Sequence, residues 1–427
     1  MAANYVLLER VTVGEAGASS ITFNSIPQTG YTDLKVVASV RTTYAGFLEM
    51  GLFFNGNASS GYSYRRLVGD GASATSGNAT TGGSIITATL GTTATANVFS
   101  SHEIYIPNYT STNYKSVSID STTENNATTS YLNLVAGLST LATAITSVGL
   151  GIGAGNFVQY STFSLYGLAA VGTTPTKAPK ASGGSIIQTD GTYWYHAFLA
   201  SGTFTPAVGL TCDVLVVAGG AGSGSSYGGA GGAGGLLAFT SQSVSTATTI
   251  TVGAGGTGAT PGGPAGSGTG VNGNDSQFGA LTLVKGGGGG GYWYSASLNS
   301  NGALGGSGGG SGRGSQGSVG GAATSGQGNA GGTGTNTGGG GGAGAAGSTT
   351  SGGAGSSAYS SWGSATATGA LSGGTYYFAV GGTAAGGTAP AGGSGNGVAG
   401  VANTGNGGGS ENNPGGSGIV IVRYLVA

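Results

Sequence analysis

The chain has 427 residues, of which only 5% are charged, and its formal net charge at pH 7 is −1. This length accommodates two or three domains, while the near-zero net charge makes neither a polyanion, such as a nucleic acid, nor an anionic membrane an obvious partner. The single cysteine, Cys212, excludes an intrachain disulfide and a cysteine-based metal centre, and we expect it to be a small buried residue.

Residues 1–171 read as antiparallel β structure. Short runs rich in Val, Ile, Thr, Tyr and Phe recur with turn residues between them, and residues 160–167 alternate as a strand with one buried face does. The one helical candidate, YLNLVAGLSTLATAITSVGLGIG at 131–153, is rich in β-branched residues and glycine, which favour strand and loop. We predict a jelly-roll-like antiparallel β-sandwich of about eight strands.

The distribution of glycine predicts the domain boundary. Residues 1–180 contain 20 of the 98 glycines and residues 181–427 contain 78. The Pro- and Thr-rich segment GTTPTKAPK is typical of a short extended linker. We therefore predict a first domain at 1–171, a linker at 172–184 and a glycine-rich domain at 185–427.

The glycine-rich part keeps strand-like runs at its edges, including Val214–Val217 and the C-terminal GIVIVRYLVA. A disordered tail is one interpretation of the glycine between these runs, but such a tail needs neither a terminal strand nor singly placed aromatics. Collagen is excluded because the glycines lack a strict three-residue period. We favour an ordered all-β domain, in which a small sheet anchors polyglycine II-type helices whose N–H and C=O groups bond to neighbouring helices.

Gly229, Gly231 and Gly234 match the G-x-G-x-x-G spacing of dinucleotide-binding loops, but their context excludes that site. Such a loop needs a helix directly after its glycines, because the helix N-terminus binds the phosphate. Residues 236–253 alternate like a strand instead, no acidic residue follows about 20 positions on, and no Gly-Lys-Ser/Thr follows. We predict no nucleotide and no other cofactor.

No catalytic constellation stands out either. His102 and His196 lie in separate strand-like runs and the carboxylates are scattered. The segment GVNGNDSQFG at 270–279 is similar to one calcium-binding nonapeptide, but that motif works in tandem, so a turn is favoured. The adjacent pair Arg65 and Arg66 carries too little charge for a nucleic-acid surface and favours a solvated strand. We predict neither an enzyme nor a metal site.

Aromatic residues placed within glycine are the remaining functional candidates. Tyr and Trp give a large contact area and stack on the apolar faces of sugars and on other aromatics. Two interpretations stay open: these side chains wedge between glycine helices, or loops leaving a rigid lattice expose them to a partner. We favour contact for Tyr292, Trp293, Tyr294, Tyr359 and Trp362, and a structural role for residues 376–378. Tyr227 is a further contact candidate, which faces either inward or outward.

Several phrases resemble tailed-bacteriophage proteins. Two segments of the first domain look like the β-sandwich of virion structural proteins of tailed phages, notably those of marine and cyanobacterial hosts: TFNSIPQTGYTDLKVVASVR and GNFVQYSTFSLYGL. Four later segments resemble a glycine-rich domain of phage tail and fibre proteins: YHAFLASGTFTP, CDVLVVAGGAG, NGNDSQFGALTLVKGGGGGG and PGGSGIVIVRYLV. Domains of similar composition in T-even-like adhesins are sandwiches of polyglycine II helices, whose distal loops bind the host.

The resemblance implies a tail fibre or adhesin on the virion surface, made in the host cytoplasm because no signal peptide is evident. Its first domain would bind other virion proteins, and its glycine-rich domain would bind polysaccharide or protein of the host envelope without membrane insertion. A homotrimer is implied by the resemblance alone. A capsid or tail decoration protein is the alternative, and a polysaccharide depolymerase ranks third because no paired acids stand out.

Overall fold

A computed structural model describes residues 5–126, 130–170, 178–225, 227–260, 268–292, 300–313, 317–334 and 337–426. The chain divides into two compact units. The first comprises 1–179, 185–194 and 425–427, and the second comprises 180–184 and 195–424.

This division differs from the predicted boundaries in two places. Residues 185–194 join the first unit because Ile186 and Ile187 pair with its first strand. Of the predicted linker, residues 172–177 lie outside the described residues, while Ala181 and Ser182 form a short strand of the second unit.

The described residues of the first unit form two antiparallel sheets. Their strands are β1 (Tyr5–Thr12), β2 (Ser20–Phe23), β3 (Tyr31–Val40), β4 (Leu48–Phe54), β5 (Tyr62–Gly69), β6 (Ala74–Gly82), β7 (Ile85–Thr89), β8 (Ser100–Ile106), β9 (Lys115–Thr122), β10 (Leu132–Ser139), β11 (Val148–Ile152), β12 (Thr162–Ala169) and, after β13 (Ala181–Ser182) of the second unit, β14 (Ile186–Thr189). The large sheet has the order β14-β1-β12-β3-β8-β9-β10-β5-β6 and the small sheet the order β2-β11-β4-β7. The helical candidate at 131–153 forms β10 and β11, as the strand prediction requires.

The two sheets of the first unit pack face to face. Ile85 of β7 lies so close to Gly137 of β10 that a Cβ on this glycine would lie 2.6 Å from the Ile85 Cδ1. The N–H of Phe54, in β4, donates a hydrogen bond of 2.8 Å to the hydroxyl of Tyr62, in β5. The predicted all-β sandwich is therefore confirmed, with more strands than the sequence indicated.

The second unit contains β13, β15 (Tyr193–Phe198, whose first two residues belong to the first unit), β16 (Gly202–Pro206), β17 (Leu210–Val217), β18 (Leu236–Val244), β19 (Thr248–Thr251), β20 (Gln277–Phe278), α1 (Ser360–Thr366), β21 (Ala370–Ser372), β22 (Thr375–Tyr377) and β23 (Ile419–Leu425). One of its sheets has the order β18-β17-β23-β15 and another the order β13-β16-β19-β20. Phe204 of β16 packs against His196 and Tyr424, with ring centroids 5.2 and 6.3 Å away. As predicted, Val214–Val217 belongs to a strand, and Cys212 is fully buried, which raises the pKa of its thiol to about 12.

The glycine-rich segments form a backbone lattice with a three-residue repeat. The N–H groups of residues 229–235 donate to the carbonyls of three neighbouring segments at N···O distances of 2.7–3.0 Å. The donors 229, 232 and 235 bond to 291, 288 and 285, respectively, the donors 230 and 233 to 338 and 341, and the donors 231 and 234 to 408 and 405. The carbonyls of the same stretch accept from the N–H groups of three further segments: 229, 232 and 235 accept from 224, 221 and 218, respectively, 230 and 233 accept from 310 and 307, and 231 accepts from 382. Three residues per turn and lateral bonds to six neighbours are the geometry of packed polyglycine II helices.

This packing leaves no room for side chains at most lattice positions. A Cβ on Gly231 would lie 2.1 Å from the carbonyl oxygen of Ala221, and one on Gly234 would lie 2.0 Å from that of Ala218. Backbone atoms cannot move away without breaking the bonds that define the lattice. The glycine content thus follows from the close approach of neighbouring segments.

We predict that Gly231→Ala lowers the free energy of unfolding by about 3 kcal/mol or more, because its methyl group overlaps a lattice carbonyl. Gly395→Ala is the matched control, since the nearest atom to its Cβ is Cγ2 of Val398 at 3.9 Å; it should change stability by less than about 1 kcal/mol. Urea denaturation of the three proteins measures both effects. Equal stabilities for the two variants would contradict the steric argument.

His196 is fully buried in the second unit. Its Nδ1 lies 2.7 Å from the carbonyl oxygen of Gly183, and its Nε2 lies 3.0 Å from the hydroxyl of Tyr424. A neutral ring that donates from Nδ1 and accepts at Nε2 satisfies both contacts. Burial lowers the pKa of His196 to about 4, against the weaker opposing effect of the Gly183 hydrogen bond.

Because this folded-state pKa lies below the ordinary value of 6.5, the unfolded chain takes up a proton first as the pH falls. Stability from His196 is therefore complete above pH ~6.5 and declines towards pH ~4. We predict that the stability difference between wild type and His196→Gln falls by up to about 3 kcal/mol between these limits. Denaturant titrations at several pH values measure it. His102 and Glu9, also buried, are present in both proteins and cancel; a constant difference would refute the prediction.

Candidate functional site

The lattice segments run back and forth between two ends. At the sheet end they join strands, as where Val217 of β17 precedes Ala218 and Gly235 precedes β18. The N–H of Ala218 donates to Gly235 and that of Gly224 donates to Gly229. Gly224 and Gly229 therefore lie at the opposite end, which we call the distal end.

Tyr227 and Arg313 meet at the distal end. The side chain of Tyr227 is 54% exposed, and the guanidinium carbon of Arg313 lies 5.2 Å from the centroid of its ring. The N–H of Arg313 also donates to the carbonyl of Tyr227 at 3.1 Å. A cation–π contact and a backbone bond thus join two residues that are far apart in sequence.

Tyr292 reaches the same end from a third segment. The N–H of Gly229 donates to the carbonyl of Gly291, so the residue after Gly291 emerges distally. A Cβ on Gly268 would lie 3.0 Å from the Cβ of Tyr292, which shows that a fourth segment arrives beside it. We call Tyr227, Tyr292 and Arg313 the distal surface; Trp293 and Tyr294 lie outside the described residues.

The distal surface combines phenol rings with a guanidinium group on a hydrogen-bonded support. Tyrosine rings can pack on the apolar faces of sugars or on other aromatics, and a guanidinium group can bind a carboxylate or phosphate in a bidentate manner. The arrangement is suited to binding and offers no nucleophile paired with a base. Its contact role stays a prediction.

Trp362 requires a correction, because its predicted exposure is wrong. It lies in α1 and is only 5% exposed. The guanidinium carbon of Arg423 lies 4.4 Å from its ring centroid, and Arg423 donates to Asp213 with Nε and Nη2 at 3.1 and 3.0 Å. Tyr195 of β15 packs against the indole edge on, with centroids 6.2 Å apart. Trp362 therefore fixes α1 to the strands.

Tyr359 lies at the N-terminal boundary of α1 and is half-buried. Its ring packs on Trp362 with the centroids 5.8 Å apart, so it belongs to the sheet end and not to the distal surface. Phe378 is fully buried, and a Cβ on Gly363 of α1 would lie 2.6 Å from the Cβ of Tyr376. Two of the predicted contact residues are thus separated from the distal surface by the length of the lattice.

The first unit has an exposed apolar face that the sequence did not predict. Leu67 of β5 is paired with Leu134 of β10, and the two side chains are 50% and 47% exposed. Leu132 and Leu138, also on β10, are 52% and 37% exposed. We call these four residues the outer leucine face. A patch of neighbouring apolar side chains on a sheet is typical of a protein contact surface.

The side chains of the adjacent Arg65 and Arg66 point to opposite faces of β5, because neighbouring residues on a strand alternate between its two faces. Arg65 points outward beside the outer leucine face, whereas Arg66 pairs with Glu49 at 2.8 Å. The strand periodicity alone could have predicted that the two charges do not act together.

Comparison with known proteins identifies the glycine-rich unit. Residues 199–425, more than half of the chain, match the family model described as a glycine-rich domain. The chain therefore belongs to the glycine-rich domain family. No curated protein and no solved structure gives a significant match to the chain. The family description names no phage or tail fibre, so that part of the resemblance stays a prediction.

The described residues contain neither a candidate membrane-spanning helix nor a candidate metal cluster. No helix there is long and apolar enough to cross a membrane. Across the same ranges, no group of three or more His, Cys, Asp or Glu side chains could hold a metal ion.

We predict that Trp362→Ala lowers the free energy of unfolding by about 3–5 kcal/mol, because it leaves a large cavity and removes the surface on which Arg423 packs. Leu371→Ala is the control in the neighbouring β21, where the side chain is 59% exposed; its effect should be within about 0.5 kcal/mol. Thermal and urea unfolding compare the variants. A Trp362→Ala protein as stable as the control would show that the indole is not an anchor.

Proposed function

We propose that the protein is a tail fibre or adhesin of a tailed bacteriophage, whose distal surface contacts the host cell envelope. The observation that carries this proposal is that Tyr227, Tyr292 and Arg313 all lie at one end of a side-chain-poor lattice, where Arg313 stacks on Tyr227. The resemblance of the sequence to phage proteins supplies the biological setting. The ligand class is envelope polysaccharide or protein, and the role is binding without catalysis.

Rigidity is what the lattice contributes to this role. Binding by a mobile loop costs the entropy of ordering it, whereas a pre-organised surface avoids much of that cost. Tyrosine adds contact area with few rotatable bonds. Backbone hydrogen bonds on both sides of each segment hold the distal loops at fixed spacing, which suits repeated contact with an extended glycan or outer-membrane surface.

The first unit would attach the protein to the particle. The outer leucine face offers apolar area of the kind that protein partners cover, and we infer that its partner is another structural protein of the same virion. Localisation at the virion surface follows from the same proposal. A homotrimer is also part of it, and light scattering of the purified chain measures the oligomeric state directly.

We predict that phage carrying Tyr227→Ala with Arg313→Ala adsorbs to its host at least about tenfold more slowly, because central aromatic and arginine residues dominate binding surfaces. The matched control is Tyr160→Ala, which removes a tyrosine that is 68% exposed on the first unit. Adsorption is measured as loss of free phage, and immunoblots verify that each variant enters particles.

Normal adsorption of the double variant would overturn the assignment of the distal surface. Immunogold labelling of the chain tests the location separately. Label at the tail supports a fibre or adhesin, whereas label across the capsid would favour the alternative, a decoration protein that cements subunits through the outer leucine face.

A further inference from the structure

The open edge of the sandwich in the first unit contains a cavity of about 370 Å³. Both sheets contribute to its lining: β5, β6 and β10 supply Arg66, Ser76 and Asn133, and β4 supplies Glu49. Phe47 and Tyr131 close one wall. Pockets of about 300–1,000 Å³ with a few convergent polar groups are the usual size for small-molecule sites.

Asn133 gives the first sign that the cavity takes a ligand. The residue is 2% exposed, and its amide Nδ2 has no hydrogen-bond partner among the residues that the structure describes. A buried donor without a partner destabilises the folded state, because it has lost its hydrogen bonds to water and gained none in return. Its neighbours on the same face of β10, Val135 and Gly137, show that an apolar or small side chain is compatible with this face. The amide thus destabilises the free protein at a position that lines a cavity.

The charges in the cavity compensate each other. Nη1 of Arg66 lies 2.8 Å from Oε1 of Glu49, and this ion pair joins the two sheets. A Cβ on Gly77 would lie 3.1 Å from Nε of Arg66, so the glycine leaves room for the arginine to lie along the cavity. The pair presents donors and acceptors with no net charge, which disfavours a phosphate or carboxylate as ligand.

The aromatic wall adds an apolar surface. The rings of Phe47 and Tyr131 are half-buried and pack edge to face, with centroids 4.8 Å apart. A ligand for this cavity must therefore combine an apolar face with hydroxyl groups that both donate and accept. Neutral sugar rings have this combination, and they pack on aromatic side chains through their C–H faces.

We propose that this cavity is a binding site for a neutral sugar, with Asn133, Arg66 and Glu49 bonding to its hydroxyl groups and Phe47 and Tyr131 packing on its ring. The site is separate from the distal surface and does not depend on the proposed phage function. It gives the first unit a binding role of its own.

The test is saturation-transfer NMR on the purified full chain with glucose, galactose, mannose and N-acetylglucosamine. At least one of these sugars should bind, with a Kd of roughly 1 mM or weaker. Asn133→Leu, which keeps the number and branching of the side-chain heavy atoms, should raise that Kd at least about fivefold without lowering stability, because it removes a buried unpartnered donor. Loss of binding with unchanged stability is a result that a purely structural asparagine would not give.

Phe47→Ala provides a second route to the same conclusion if Asn133→Leu misfolds, and it should weaken binding by a similar factor. Arg65→Ala is the matched control, since it removes the neighbouring arginine on the opposite face of β5 and should leave the Kd unchanged. Three results would overturn the proposal: no saturation transfer from any of the four sugars, wild-type binding by both cavity variants, or tighter binding of glucuronate than of glucose.

Discussion

The second unit depends on hydrogen bonds that run sideways from every glycine segment to its neighbours. Ordering each residue costs about 1–2 kcal/mol in backbone entropy, and a single hydrogen bond returns only about 1 kcal/mol net. The lattice is stable only when nearly every N–H and C=O is used, as in residues 229–235, which bond to six other segments. This requirement explains why glycine fills the lattice, because a methyl group at most positions would lie about 2 Å from a carbonyl oxygen.

In the first unit, a single glycine, Gly137, determines which face of β10 points to the interior. Gly137 must face the interior because Ile85 of the opposing sheet occupies the space its side chain would need. Side chains alternate along a strand, so Asn133 and Val135 also face inward, and the leucines between them face out. The outer leucine face and the buried amide of the sandwich-edge cavity therefore have one common cause.

The sequence was sufficient to predict the β architecture, but it was not sufficient to predict which side chains are exposed. Alternation and β-branched residues correctly predicted β10 and β11, and Val214–Val217 was correctly placed in a strand. The alternation in β10 does not show that its leucines are exposed, because the packing of Ile85 on Gly137, which identifies the inward face, is a contact between distant segments. Trp362 was misassigned for a similar reason: its partners Arg423 and Tyr195 are remote in sequence. The cavity around Asn133 depends on two sheets and has no local signal.

The end of the lattice to which an aromatic residue belongs follows from counting crossings. Up to residue 356, the described segments cross from the sheet end to the distal end at 218–225, 253–259, 285–291, 307–313, 328–334 and 344–351, and return at 228–235, 268–274, 300–306, 317–323, 337–343 and 351–356. Tyr227 follows the first outward crossing and Tyr292 the third, so both are distal. Tyr359 and Trp362 follow a return crossing, so they meet the strands. Because most lattice positions exclude large side chains, the aromatic residues lie in the loops at these turns. The direction of the preceding segment decides whether such a residue lies at the sheet end or at the distal end.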